Sequence, residues 1–279
     1  MPFTKMHGIG NDYVYINTFA TQVDDAAAVA RAVAPRHTGI GSDGLILIAP
    51  SDVADVRMEM YNADGSRGEM CGNGIRCVGK FARDRGLAQG DAMTVETDAG
   101  IKQLRFEYQG GLVERVIVDM GAPALEPAEV PLASDERMVD RALRVDGEDY
   151  RITCVSMGNP HCVLFVPATS SADVHGLGRK IETHDLFPQG VNVEFVEVLG
   201  EAPSARLRMR VWERGSGETH ACGTGACAAA VAAVLTGRGQ RRVVIELLGG
   251  DLEIEWRESD NHILMTGGAT EVFSGEIEL

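Results

Sequence analysis

Two short segments of this sequence have the makings of a reactive site: Cys71-Gly72-Asn73-Gly74 and Cys222-Gly223-Thr224-Gly225. Each follows a turn-forming stretch and opens a run of apolar or alanine-rich residues at helical spacing, so each cysteine stands where a helix begins. The first N–H groups of a helix have no internal partners and carry partial positive charge. Glycines there let a carboxylate approach those N–H groups closely. The same field favours a thiolate over a free thiol, whose ordinary pKa is about 8.5. Each segment therefore offers an anion cradle and an ionisable sulfur. Two such sulfurs facing one carbon would suit stereoinversion: a thiolate removes a proton from one face and a thiol delivers one to the other. The carbon beside a carboxylate is a weak acid, so that chemistry needs N–H donors aimed at the carboxylate.

The elements that must position these residues also come twice. Cys71 and Cys222 lie 151 positions apart (222 − 71), and at that offset Arg57 meets Arg208, Met58 meets Met209 and Tyr61 meets Trp212. Gly10-Asn11 and Gly158-Asn159, each just before a strand-like segment, repeat at 148. Order and spacing together predict a duplicated two-domain chain. The first copy reads as strands near 3–6, 13–16, 45–49, 56–61, 92–97, 101–108 and 112–119, with helices over 24–34, capped by Asp24 and stopped by Pro35, and from Cys71 to Gly86. The second reads as strands near 150–155, 161–166, 192–198, 206–212, 242–247, 251–256, 262–266 and 271–278, a short helix near 174–182, and a longer one from Cys222 to Leu235. Gly121-Ala122-Pro123 marks the break between copies. Cys77 and Cys227 within the helices, and Cys154 and Cys162 on strands, read as packing residues.

Composition removes several function classes. The chain has 279 residues, 44% hydrophobic and 24% charged, enough to bury a core without staples. Twenty-six Lys+Arg against 41 Asp+Glu give a formal net charge of −15, which argues against a nucleic-acid or polybasic membrane surface. No apolar run is long enough to span a bilayer, and no basic-then-apolar leader opens the chain, so a cytoplasmic location is expected. Six cysteines with no CxxC spacing argue against a zinc ribbon or disulfide scaffold, and no metal is expected. Gly39-Ile40-Gly41-Ser42-Asp43-Gly44 fits GxGxxG, but a probable strand follows it rather than a helix, so the dinucleotide reading fails its context.

The segments Lys5-Met6-His7-Gly8-Ile9-Gly10-Asn11-Asp12, Asn62-Ala63-Asp64-Gly65, Ser156-Met157-Gly158-Asn159-Pro160-His161-Cys162 and Glu213-Arg214-Gly215-Ser216-Gly217-Glu218, with the two Cys-Gly-x-Gly motifs, resemble the diaminopimelate epimerases, in order along essentially the whole chain. The resemblance implies an α+β fold of two pseudo-symmetric domains, each a curved mixed sheet around a central helix, with residues 1–120 and a returning strand 265–279 in one and 121–264 in the other. It implies interconversion of LL- and meso-2,6-diaminopimelate, for lysine and peptidoglycan synthesis, without pyridoxal phosphate or metal, by a homodimer with its site in the interdomain cleft. Cys71 and Cys222 would be the acid–base pair, and His161 and Glu213 would tune their ionisation. Gly72, Asn73, Gly223 and Thr224 would receive the reacting carboxylate. Asn11, Asn62, Asn159, Asn192, Glu213 and Arg214 would line the pocket. A guanidinium at Arg214 suits a second carboxylate, and Glu213 suits a second ammonium. Some family members carry Gln where this chain has Gly44, so no pocket contact is carried over there.

Rival readings leave distinct signatures. A related racemase, proline- or histidine-specific, would prefer single-headed amino acids. A cysteine hydrolase would form a covalent acyl adduct and need only one of the two cysteines. A binding module would hold an amino acid tightly after both cysteines are removed.

Overall fold

The computed structural model of the protein describes residues 1–278, which divide into two compact units. Unit 1 takes Met1–Asp119 and the chain from Thr266 onward, and unit 2 takes Met120–Met265.

Unit 1 runs β1 (Pro2–Gly8), β2 (Asn11–Asn17), α1 (Ala26–Val33), β3 (Gly44–Ala49), β4 (Val56–Asn62), β5 (Arg67–Gly68), α2 (Gly72–Asp84), β6 (Ala92–Thr97), β7 (Gly100–Gln109) and β8 (Leu112–Gly121). Its sheet is mixed: β1 and β2 pair antiparallel, β2 and β3 parallel, β3 and β4 antiparallel, and β4 and β6 parallel. Unit 2 runs β9 (Arg141–Val145), β10 (Glu148–Ser156), β11 (Pro160–Phe165), a single 3-10 turn, α3 (Val174–Glu182), β12 (Asn192–Val198), β13 (Ser204–Glu213), β14 (Gly217–Thr219), α4 (Gly223–Leu235), β15 (Gly239–Leu247), β16 (Gly250–Trp256) and β17 (Ile263–Gly268), whose last residues return to unit 1. The sequence of pairings repeats: β10–β11 antiparallel, β11–β12 parallel, β12–β13 antiparallel, β13–β15 parallel. A final strand, β18 (Thr270–Glu276), pairs antiparallel with β1, as β9 does with β10.

The long helix of each unit is its centre. Along α2 the side chains from Ile75 to Val78, with Phe81 and Ala82, are buried; along α4 the alanine-rich stretch Ala226–Ala233 is buried on every side. A helix apolar all round must lie inside its domain, and alanine lets the surrounding strands close on it. None of the helices, among the described residues, is long and apolar enough to cross a membrane.

Local details depart from the sequence reading. Helix α1 starts at Ala26 and is capped by Asp25, whose carboxylate accepts from Ala28 N–H at 2.9 Å; Asp24 instead accepts from Gln22 at 2.6 Å. Both aspartates are competent caps, and the one three residues before the free N–H takes the role. Strand β9 carries only two inward-facing apolar residues, Leu143 and Val145, too short an alternation to stand out in sequence. Strand β18 stops at Glu276, short of 278.

Candidate active site

In unit 1, Cys71 is the N-cap of α2, with extended backbone and its Sγ accepting from Gly74 N–H at 3.3 Å. Its thiol donates to Asn11 Oδ1 at 3.1 Å. Asn11 sits at the head of β2 because Gly10 turns the chain with φ +87°, a conformation that L side chains resist. The Asn11 amide donates in turn to Asp43 Oδ2 at 2.8 Å, which also accepts from Asp12 N–H at 3.0 Å. Arg36 bridges Asp12 and Asp43, and buried Lys5 contacts Asp12. Those cations hold the Asp12 carboxyl below its ordinary range despite partial burial, which pushes the other way. Gly72 and Asn73 form the buried first turn of α2, and Asn62, at the end of β4, donates to Ser66 Oγ at 3.0 Å.

In unit 2, Cys222 is likewise the N-cap of α4, and its Sγ accepts from Gly225 N–H at 3.4 Å. Thr224 Oγ1 lies 3.6 Å from the sulfur. A chain of contacts leads away from it: Asn159 donates to Thr224 Oγ1 at 3.3 Å, His161 Nε2 meets Asn159 Oδ1 at 3.0 Å, and His161 Nδ1 meets Glu194 Oε1 at 2.7 Å. Asn159 follows Gly158, whose φ of +94° repeats the turn before Asn11. Glu213 ends β13, accepts from the Thr219 hydroxyl and lies against Cys222. Asn192 is fixed at both ends, donating to Pro160 O at 3.0 Å and accepting from Arg214 N–H at 2.9 Å. The exposed Arg214 guanidinium donates to Gln189 O at 2.9 Å.

The electrostatics of unit 2 oppose the expectation that a helix N-terminus lowers its thiol. Burial pushes Cys222 well above the ordinary thiol value, and the negative charges of Glu213 and Glu194 push the same way, against Thr224 and the Gly225 N–H. Burial also raises the Glu213 carboxyl, against hydrogen bonds from Thr219 and Cys222 and the positive charge of His161. Burial keeps two further cysteines as neutral thiols: Cys77 is pushed up to about 11 and Cys162 well above its ordinary value. Cys154 faces Cys162 directly across β10 and β11.

Each copy thus gathers its expected residues around its own cysteine: Asn11 with Gly72 and Asn73 at Cys71; Asn159, His161, Glu213, Gly223 and Thr224 at Cys222. The Asn62 amide is held by Ser66, and Asn192 and Arg214 are tied to each other. Three residues escaped sequence reasoning. Glu194, wholly buried in the apolar run Val193–Val196, was visible as one carboxylate among hydrophobes. Arg76, also wholly buried, donates to Gly72 O at 3.0 Å and Gly268 O at 3.2 Å, and its signal was a cation beside the apolar stripe of α2. Asp43 stood in the GxGxxG look-alike and holds Asn11. Gly44 is explained as well: a Cβ there would fall 2.1 Å from Tyr61 O, so β3 has no room for a longer residue at that point.

A family model described as diaminopimelate epimerase matches residues 3–126 and 153–272. A diaminopimelate epimerase of Acetivibrio thermocellus is 52% identical over 280 residues, covering 100% of this chain and 99% of the relative. One from Desulfovibrio desulfuricans is 54% identical over 281 residues, covering 98% and 97%. Among solved structures, a phenazine biosynthesis PhzF-family protein of Bacillus anthracis superposes with TM-score 0.71 at 16% identity, covering 100% of this chain and 99% of that one. A probable proline racemase of Agrobacterium radiobacter gives 0.70 at 15% identity, covering 100% and 93%. At such identities these two share the fold.

Proposed function

Because the chain belongs to the diaminopimelate epimerase family, we propose that Cys71 and Cys222 are the acid–base pair with which it interconverts LL- and meso-2,6-diaminopimelate. The observation that carries this reading is the duplication itself: two cysteines, each the N-cap of a buried central helix, each with its sulfur on a backbone N–H three residues ahead. One sulfur, as thiolate, takes the α-proton; the other, as thiol, delivers a proton to the opposite face, and the roles exchange in the reverse direction. The first-turn N–H groups of α2 and α4, at Gly72-Asn73 and Gly223-Thr224, receive the reacting carboxylate and stabilise the charge that spreads onto it. No pyridoxal phosphate or metal takes part.

The remaining residues divide between the reacting centre and the distal head. Arg214, exposed and bonded on one side to Gln189 O, keeps donors for the distal carboxylate. Asn11, Asn62, Asn159 and Asn192 supply amides to the rest of the substrate. His161 and Glu213 tune the ionisation of the Cys222 side. The burial of Glu213 against Cys222 favours that task over binding a distal ammonium.

Turnover in deuterated water tests the mechanism. Solvent deuterium is expected at the product α-carbon, and its absence would sink the proposal. Cys71→Ser and Cys222→Ser should each lower kcat at least about a hundredfold. A preference for single-headed amino acids over diaminopimelate would move the chain to a racemase with another substrate. We further propose that the enzyme works in the cytoplasm, where its thiols stay reduced, and as a homodimer. Leu112, Val272 and Phe273, exposed apolar residues lining one surface groove of unit 1, support a second copy; light scattering that returns a monomer mass would overturn this.

A further inference from the structure

Glu194 and its surroundings distinguish the two copies. At the 148-position offset that relates Asn11 to Asn159, Tyr13 corresponds to His161 and Ile46 to Glu194 (161 − 13; 194 − 46). The strand registers agree: Tyr15 pairs with Ile46 as Val163 pairs with Glu194. The consequence is seen at the helix starts. A Cβ on Gly74 would meet Ile46 Cδ1 at 2.7 Å and Met58 Cε at 3.3 Å, whereas one on Gly225 would meet Glu194 Oε1 at 2.7 Å and Cys222 Sγ at 3.2 Å. The first turn of α2 thus rests on hydrocarbon and that of α4 on a carboxylate. Glu194 is completely buried, and its Oε2 has no hydrogen-bond partner among the described residues.

We propose that Glu194 is a positioning residue that keeps Cys222 protonated at rest. This rests on the reading of Cys222 as one of the two reacting thiols. The N-terminal field of α4 favours a thiolate, and a carboxylate set behind that turn opposes it. Within unit 2, the charged and titratable groups around Cys222 are Glu194 on β12 and Glu213 on β13, with His161 on β11 on the far side of Glu194. His161 Nδ1 meets Glu194 Oε1, and its imidazole is linked to the sulfur through Asn159 and Thr224, while Glu194 Oε1 lies against Gly225. The nearer, negative pole therefore dominates at the sulfur. In unit 1 the equivalent place is taken by the hydrocarbon of Ile46.

The test is the rate of iodoacetamide alkylation against pH, resolved by mass spectrometry at Cys71 and Cys222. In the unaltered protein the Cys222 midpoint should lie above the ordinary thiol value of about 8.5; a midpoint below it overturns the inference without any variant. In the isosteric Glu194→Gln the Cys222 midpoint should fall by about one pH unit, giving roughly tenfold faster alkylation near neutrality, with Cys71 unmoved. An unchanged or higher midpoint overturns it. So does an equal acceleration at every pH, which would mean easier access rather than altered ionisation. The readout needs no turnover, so it is separable from the epimerase reading: failed deuterium incorporation would leave these midpoints where they are, and failed midpoints would leave incorporation intact.

Discussion

At Cys222 two opposing influences meet, and burial decides between them. Burial favours the neutral thiol of Cys222 and the neutral carboxyl of Glu213. For Glu213 the sign follows: with its folded pKa above the ordinary value of about 4.5, its contribution to stability is complete below that value and is lost as pH rises through the raised one. Glu213→Gln, which does not titrate, should therefore gain stability over the unaltered protein at pH 7.5 but much less at pH 4, measured by chemical denaturation. Asp43 illustrates the same scale in unit 1. It fixes the amide that faces Cys71, so Asp43→Ala should lower kcat/KM about tenfold to a hundredfold while the thermal transition moves little. An unchanged kcat/KM would show that Asn11 is held well enough without it.

Each helix begins where it does because a cysteine side chain takes over an orphan N–H, and each strand ladder places one asparagine beside that cap. Close backbone approach is the price of this arrangement at Gly44, where β3 passes Tyr61 O. Gly44→Ala should destabilise by at least about 2 kcal/mol, because backbone rather than a flexible side chain stands in the way; equilibrium unfolding measures it, and a change below 0.5 kcal/mol in scale would mean that β3 shifts freely. The repeat of strand order explains why the pattern could be read from both halves of the sequence. Short elements could not: β5 with two residues and β14 with three follow from tertiary pairing with β4 and β13, since so few residues carry no periodicity.

For the whole molecule, the proposed chemistry requires both sulfurs to reach one carbon, and sulfurs that close are open to oxidation. Mild oxidant should therefore inactivate the enzyme, reductant should restore it, and neither Cys71→Ser nor Cys222→Ser should form the linkage, as read by mass mapping under non-reducing conditions. Activity indifferent to oxidant and reductant would count against sulfurs placed in this way. The duplicated chain has a further consequence at this scale. On the proposed reading, a copied unit gives two similar acid–base groups, and the buried Glu194 behind Gly225 makes them unequal.

The sequence by itself determined the duplicated order of elements, the two helix starts and the cysteines that cap them. These follow from interactions within a few residues: hydrophobic period, turn chemistry and the orphan N–H groups of a first helical turn. Most strand positions were legible for the same reason, as with β6 at Ala92–Thr97 and β12 at Asn192–Val198. Only the tertiary structure decided which way the field at Cys222 runs, that Asp43 braces Asn11, that Arg76 is buried, and that Glu194 stands behind Gly225. Desolvation and charge act through distance in space, and strands and turns far apart in sequence supply the groups that exert them.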